Sequence, residues 1–135
     1  LVGSESGIRA RTKLLANSAA NPLTALSGRQ TGLLRDAAVA ASACQIMAEV
    51  VRVGQAEGAA LTARHVEQTI AWLQSVPPES TTSMLQDRQA GRPLEYDAIT
   101  GAIVRAAERH GLDVPLNRLV LALLSAIQAA PHLLA

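Results

Sequence analysis

The stretch that most constrains the fold is a long run of small and aliphatic residues between Asp36 and Gly58. Asp36 can accept hydrogen bonds from the free backbone N–H groups at the start of a helix. Gly58 can adopt the left-handed conformation that commonly ends one. The run therefore predicts the longest helix of the chain, which should cross the whole domain. Its small residues would let a partner helix approach closely.

This predicted helix has two different sides. Its apolar positions near helical spacing are Ala40, Cys44, Met47, Val51 and Ala56. Glu49, Arg52 and Gln55 fall on the other side. Cys44 is the single cysteine, so no intramolecular disulfide and no cysteine-based metal site can form, which fits a reducing compartment. We expect Cys44 to be a core or interface thiol rather than a nucleophile.

The rest of the chain is also typical of helices. Of its 135 residues, 49% are hydrophobic, yet there is no phenylalanine and only one tryptophan and one tyrosine. The core must then be built from leucine, alanine, valine and isoleucine, and alanine and leucine favour helix. No segment of useful length alternates polar and apolar residues as a strand would. The sequence predicts one all-α domain of six or seven helices, without internal repeats.

Proline, glycine and capping residues set the other boundaries. We expect further helices at 6–20, 22–27, 62–76, 84–90, 93–110 and 115–130, and a glycine-flanked loop at 28–32. Proline disfavours the α conformation in the residue before it. The first helix should therefore kink or restart at Asn21, which could cap a new helix that begins at Pro22. Pro93 should lie in the first turn of its helix.

The charge pattern excludes several classes of partner. The formal net charge is +1 and the charges are scattered, so the chain lacks the basic patch of a nucleic-acid-binding protein. No apolar run reaches the length of a membrane span, so we expect no membrane-spanning segment. The first residues show no basic leader followed by an apolar segment, so we expect no signal peptide and a cytoplasmic location.

Three polar residues interrupt the apolar first helix at one spacing, namely Lys13, Asn17 and Asn21. Residues four apart lie above one another on a helix, so these three form one polar stripe. The stripe offers an amine, two amide donors and two amide acceptors. It either faces solvent, as most charged residues do, or lines a cleft where a ligand satisfies it.

Two later segments are also candidates for chemistry. Ser83 ends a polar loop that begins at Ser80, and it either caps the following helix or contacts a ligand. Glu95 either compensates a helix dipole or belongs to a site. Asp87 could simply pair with Arg88 or Arg92. The sequence contains no evident catalytic triad and no carboxylate or histidine pattern with metal-ligand spacing.

Three motifs resemble signatures of the ketopantoate reductases (2-dehydropantoate 2-reductases). The first is Lys-x-x-x-Asn-x-x-x-Asn-Pro-Leu-Thr-Ala-Leu, from Lys13 to Leu26. The second comprises Thr82-Ser-Met-Leu-Gln-Asp87, Ala90-Gly-Arg-Pro93 and Glu95-x-Asp97-x-Ile99-x-Gly101. The third is Ala107-Glu-Arg-His-Gly111 followed by Val114-Pro115-x-Asn117. The motifs keep their order and spacing, and the match spans about residues 9 to 127.

The resemblance implies an all-α C-terminal domain of the 6-phosphogluconate dehydrogenase type, covering residues 1–135. In that family a Rossmann domain precedes this domain and makes most of the contacts to NADPH. That domain is absent from this sequence. The implied reaction is reduction of 2-dehydropantoate to pantoate on the route to coenzyme A. The fragment alone would then be inactive.

Carried over residue by residue, the resemblance makes Lys13 the proton donor to the developing alkoxide. Asn17, Asn21 and Ser83 would bind the hydroxyl and carboxylate of the substrate. Glu95 would contact the cofactor and help to orient the site.

The chain departs from the family pattern at three positions. Arg11 replaces a residue that is often aromatic, and Thr31 and Ser80 stand where members often have asparagine. These differences leave open a relative that reduces another 2-oxo acid. A third alternative is a non-enzymatic helical module that forms a homodimer through the Asp36–Gly58 helix and the apolar last helix.

Overall fold

The part of the chain that the computed structural model describes, residues 5–129 with side chains from residue 10, contains no β-strand. Its helices are α1 (Glu5–Ser27), α2 (Ala37–Ala56), α3 (Ala63–Ser75), α4 (Ser83–Gln89), α5 (Ala102–Arg109) and α6 (Pro115–Ala129). A 3-10 turn (Thr31–Arg35) links α1 to α2, and a π-helical turn (Asp97–Gly101) leads into α5. The prediction of an all-α domain with six or seven helices is confirmed. The expected end of the last helix at Pro131 lies outside the described residues.

The predicted restart of a new helix at Asn21 is wrong, because α1 continues through Pro22 to Ser27. Proline has no N–H to donate to the carbonyl one turn earlier, which normally weakens a helix. Here Pro22 is buried, and α1 packs against α2, α3 and α4 on its way. Tertiary packing of this kind outweighs the local preference. Consequently Lys13 and Asn21 lie on one uninterrupted helix.

The predicted central helix is confirmed, with both of its expected ends. The expectation that it is the longest helix is wrong, because α1 continues through Pro22 and has 23 residues, whereas α2 has 20. The Asp36 carboxylate accepts a hydrogen bond from the Val39 N–H at 3.1 Å. Gly58 has a positive φ of 88°, which lets the Ala59 N–H reach back to the Gly54 carbonyl at 2.8 Å. By length and composition alone α2 could cross a membrane, although the sequence predicted no membrane-spanning run. It packs against α1, α3, α5 and α6, and 39% of its apolar window is buried.

Glu49 does not belong with the exposed polar residues of α2. It is only 6% exposed, and its carboxylate accepts hydrogen bonds from the backbone N–H groups of Leu116 at 3.0 Å and Asn117 at 2.9 Å. The Asn117 side-chain amide donates a third, at 2.8 Å. These N–H groups belong to the first turn of α6, where a carboxylate satisfies free donors and the helix dipole together. Glu49 therefore fixes α6 onto α2.

The helix that was predicted to start around Pro93 starts three residues later. Residues 92–95 have no regular secondary structure, and the Leu94 N–H donates to the Gln128 side-chain oxygen of α6 at 2.7 Å. Within the π turn, the Asp97 carboxylate folds back over Gly101 to accept from Arg105 at 2.7 Å. A Cβ at Gly101 would clash with that carboxylate oxygen, so a larger residue there would require the exposed Asp97 side chain to move. Glu95 thus precedes the helical region instead of lying in its first turn.

Candidate active site

A cleft of about 760 Å³ opens between α1, the 3-10 turn, the end of α3 and the start of α4. This volume lies within the range of about 300–1,000 Å³ that is usual for small-molecule sites. The residues that line it are Thr12, Lys13, Ala16, Asn17, Ala20, Asn21, Thr31, Trp72, Leu73, Val76, Ser80, Thr81, Thr82 and Ser83. Four of the five predicted site residues are in this set.

The polar stripe of α1 faces the cleft along its whole length. Lys13 is exposed, whereas Asn17 and Asn21 are partly buried. Ala16 and Ala20, which lie between them on the same side, are buried and small, so they leave room for a ligand. The stripe therefore does not simply face bulk water; it provides an amine and two amides to one concave surface.

Ser83 reaches the same cleft because a pair of threonines ties α4 to α1. Thr82, and not Ser83, caps α4, since its hydroxyl oxygen accepts from the Leu85 N–H at 3.2 Å. The same oxygen lies 2.6 Å from the hydroxyl oxygen of buried Thr24, which donates to the Ala20 carbonyl at 2.7 Å. Because each hydroxyl has one proton, Thr82 donates to Thr24. The capping role that Ser83 could have had is thus already filled by Thr82.

Arg88 makes a second connection between the same two helices. Its guanidinium donates to the carbonyls of Ala25 and Leu26, the latter at 3.1 Å, at the end of α1. Cations stabilise the negative end of a helix dipole. Arg88 therefore does not pair with Asp87, whose carboxylate instead accepts from Arg92 at 2.9 Å. Together with the threonine pair, Arg88 holds the start of α4 beside α1.

The opposite side of the cleft is held by backbone hydrogen bonds. The Thr31 N–H donates to the Ser80 carbonyl at 2.9 Å, and the Gly32 N–H donates to the Pro78 carbonyl at 2.8 Å. A Cβ at Gly32 would lie 2.8 Å from the Cβ of Pro78, so a larger residue would push these segments apart. The predicted 28–32 loop is therefore partly a 3-10 turn docked on the segment after α3.

Glu95 is placed differently from the other four residues. It is exposed, and it is not among the described residues that line the cleft. The structure therefore does not bring Glu95 together with the other four residues in this cleft.

The comparison with protein families decides what kind of chain has this cleft. Residues 9–128 match the model of the family "Ketopantoate reductase PanE/ApbA C terminal". The chain belongs to this family. The resemblance seen in the three sequence motifs is thereby confirmed.

Known relatives agree with this assignment. A 2-dehydropantoate 2-reductase from Mycobacterium tuberculosis is 41% identical over 119 residues, which are 88% of this chain and 40% of that protein. The structure of the dimeric ketopantoate reductase from Staphylococcus aureus superposes with a TM-score of 0.85 at 32% identity, covering 90% of this chain and 43% of that one. This family member thus spans about two fifths of the length of these relatives.

A solved structure of lower sequence identity has a similar fold. D-Mandelate dehydrogenase, solved as a ternary complex with NADH and anilino(oxo)acetate, superposes with a TM-score of 0.82 at 23% identity, covering 94% of this chain and 54% of that one. At this identity the likeness shows a shared fold only.

The sequence alone did not predict the parts that Thr24 and Trp72 play at the cleft. Thr24 lies on the continuation of the polar stripe, but its bond to Thr82 joins residues 58 positions apart. Trp72 follows the apolar stripe of α3 and lines the cleft although 53% of it is exposed. Cys44 lies away from the cleft, and partial burial raises the pKa of its thiol, which fits its expected role as an unreactive packing residue.

Proposed function

We propose that this chain is the substrate-binding and catalytic domain of an NADPH-dependent 2-dehydropantoate 2-reductase, which reduces 2-dehydropantoate to pantoate for coenzyme A synthesis. One observation supports this most directly. Lys13, Asn17, Asn21 and Ser83, which come from two helices, line one cleft in a member of the ketopantoate reductase family. A 2-oxo acid needs a cation near its ketone and neutral donors near its carboxylate, and the cleft offers both.

Lys13 would act on the ketone oxygen. When the nicotinamide cofactor is bound, it supplies a hydride to the ketone carbon. Negative charge then develops on the oxygen, and the Lys13 ammonium stabilises it by a hydrogen bond and donates the proton that completes the alcohol. General acid catalysis of this kind typically contributes about 10²- to 10⁴-fold in rate.

Asn17, Asn21 and Ser83 would hold the substrate in place. Their amide N–H and hydroxyl groups donate to a carboxylate, and their oxygens accept from a substrate hydroxyl. None of them adds a charge that would compete with Lys13 for the proton. Because both asparagines are partly buried, hydrogen bonds to them are less exposed to competition from water.

The cofactor would be bound mainly by a Rossmann domain that precedes this domain in the whole protein, and the isolated domain would be inactive. In this chain we propose that Glu95 contacts the cofactor, because its carboxylate can accept hydrogen bonds from ribose or carboxamide groups. Its exposure leaves it free to meet a neighbouring domain. We also propose a cytoplasmic location, as expected for an enzyme of coenzyme metabolism.

We further propose that the whole protein is a homodimer. The Staphylococcus aureus relative is described as dimeric. In this chain the large apolar residues of α2 are used in the core, whereas α6 exposes Leu119 (55%) and Leu123 (45%), one helical turn apart. The exposed leucines of α6 are therefore the better candidates for the interface.

The reaction is tested with the full-length protein, by following NADPH oxidation with 2-dehydropantoate. Lys13→Ala should lower kcat by about 10²- to 10⁴-fold. The matched control is Arg64→Ala, which removes an exposed positive charge from α3 outside the cleft. A wild-type rate from Lys13→Ala would refute the proposed acid, and a wild-type protein that reduces no 2-oxo acid would refute the function.

A further inference from the structure

The cleft has an apolar side that the proposed chemistry does not use. Trp72, Leu73 and Val76 line it from the end of α3, and we name these three residues the apolar wall. Trp72 is the only tryptophan of the chain, and 53% of it is exposed. An exposed indole inside a concave site is the kind of surface that gains most when a ligand covers it.

The apolar wall is held rigidly. The Gln74 side-chain amide donates to the Leu34 carbonyl at 2.9 Å, and Arg35 donates to the Val76 carbonyl at 3.0 Å. The Ser75 hydroxyl donates to the Trp72 carbonyl at 2.6 Å, which satisfies a free carbonyl at the end of α3. These bonds hold the backbone of the wall, so little backbone ordering is lost when a ligand binds.

We propose that the apolar wall is the subsite for the side chain of the 2-oxo acid, and that Trp72 is a specificity-determining residue that favours branched apolar side chains. This inference rests on the proposed function of the cleft, because it takes the polar stripe and Ser83 as the site of the ketone and carboxylate.

The division of the cleft supports this orientation. A 2-oxo acid has a polar head of ketone and carboxylate and a variable substituent beyond them. Lys13, Asn17 and Asn21 place most of the hydrogen-bonding groups on α1, whereas the indole N–H of Trp72 is the one polar side-chain group of the wall. Moving a polar substituent onto that wall would lose hydrogen bonds to water, whereas moving an alkyl substituent there gains free energy.

The size of the cleft is consistent with a branched substituent. A cleft of about 760 Å³ can hold the head of a 2-oxo acid, part of a cofactor and a side chain larger than a methyl group. Each methylene in an apolar pocket changes kcat/KM by roughly 10-fold or more. Discrimination among 2-oxo acids should therefore follow the size of the apolar side chain.

The test measures kcat/KM of the full-length enzyme for pyruvate, 2-oxobutyrate, 2-oxoisovalerate, 4-methyl-2-oxovalerate and 2-dehydropantoate. For the wild type, the value should rise from pyruvate to the branched acids. Trp72→Ala should lower kcat/KM for the branched acids by roughly 10-fold, mainly through KM, and change it less than about two-fold for pyruvate. Trp72→Phe, which keeps an aromatic face, should recover most of the loss.

The outcomes separate this inference from the proposed function. A wild-type enzyme that reduces none of these acids refutes the function. The subsite alone is refuted if the wild type reduces these acids but Trp72→Ala loses activity equally on all of them. It is also refuted if Trp72→Ala loses activity on none of them. A changed KM for NADPH with every substrate would also refute it, because Trp72 would then be covered by the nucleotide domain. Gln68→Ala, which shortens an exposed side chain of α3 outside the cleft, is the matched control.

Discussion

Replacing Thr24 by valine tests how the structure places Ser83 beside the polar stripe. The two side chains have nearly the same shape, so the substitution removes the hydroxyl and little packing. Thr24 is fully buried, and its hydroxyl accepts from Thr82 at 2.6 Å and donates to the Ala20 carbonyl at 2.7 Å. The Ala20 carbonyl lies within α1 and loses only this extra bond, so the main loss is the contact with Thr82.

The expected cost follows from these two bonds. A hydrogen bond contributes about 0.5–1.5 kcal/mol, and a buried donor left without a partner costs roughly 1–3 kcal/mol. Thr82 is only partly buried, so its hydroxyl can regain some hydrogen bonding to water. Thr24→Val should therefore destabilise the domain by about 1–3 kcal/mol. Thr24→Ser, which keeps the hydroxyl, should cost less than Thr24→Val.

The assay is urea denaturation of the 135-residue chain, followed by circular dichroism at 222 nm. A double-mutant cycle with Thr82→Val isolates the pair, because removing both partners leaves no orphaned hydroxyl between them. The double variant should be more stable than the sum of the single effects predicts. Additive single effects, or a Thr24→Val variant as stable as wild type, would refute the reasoning.

Two further predictions concern the surface. Hydrogen bonds from His110 and Arg109 lower the pKa of Glu57 from its usual 4.5. The ionised Glu57 therefore stabilises the fold above that value, and this contribution is lost as the pH falls through the lowered pKa. The difference in melting temperature between wild type and Glu57→Gln should disappear in acid, and a difference that grows there would contradict the assignment. Light scattering of the full-length protein should give a mass that rises with concentration to that of a dimer. Leu119→Glu should shift the measured mass towards that of the monomer. A monomer mass at all concentrations of the wild type would exclude the dimer.

Features encoded by nearby residues could be predicted from the sequence. Asp36 caps the start of α2 and Gly58 follows its end, and each acts on backbone groups within about one turn of itself. The polar stripe depends only on helical spacing, so its shared face was evident before any fold was known. The family motifs supplied Ser83, whose role local spacing alone left open.

Features that depend on distant partners could not be predicted. Glu49 has the spacing of a surface residue, but its partners Leu116 and Asn117 lie 67 and 68 positions further along the chain. Pro22 disfavours a continuous helix locally, but the packing of α1 against its neighbours keeps the helix intact. Leu94 was expected in a helix, but it lies before one and its N–H donates to Gln128, 34 positions away. In each case the deciding interaction forms only when the helices pack.

The central claim is that one cleft holds the substrate between α1 and α4, and it is tested most directly by a crystal structure of the full-length enzyme with NADP⁺ and 2-dehydropantoate. The account predicts the carboxylate or hydroxyl of the ligand within hydrogen-bond distance of Asn17, Asn21 and Ser83. The Lys13 ammonium should lie about 3 Å from the ketone oxygen. A ligand bound elsewhere, with the ammonium of Lys13 directed away from it into solvent, would contradict the account.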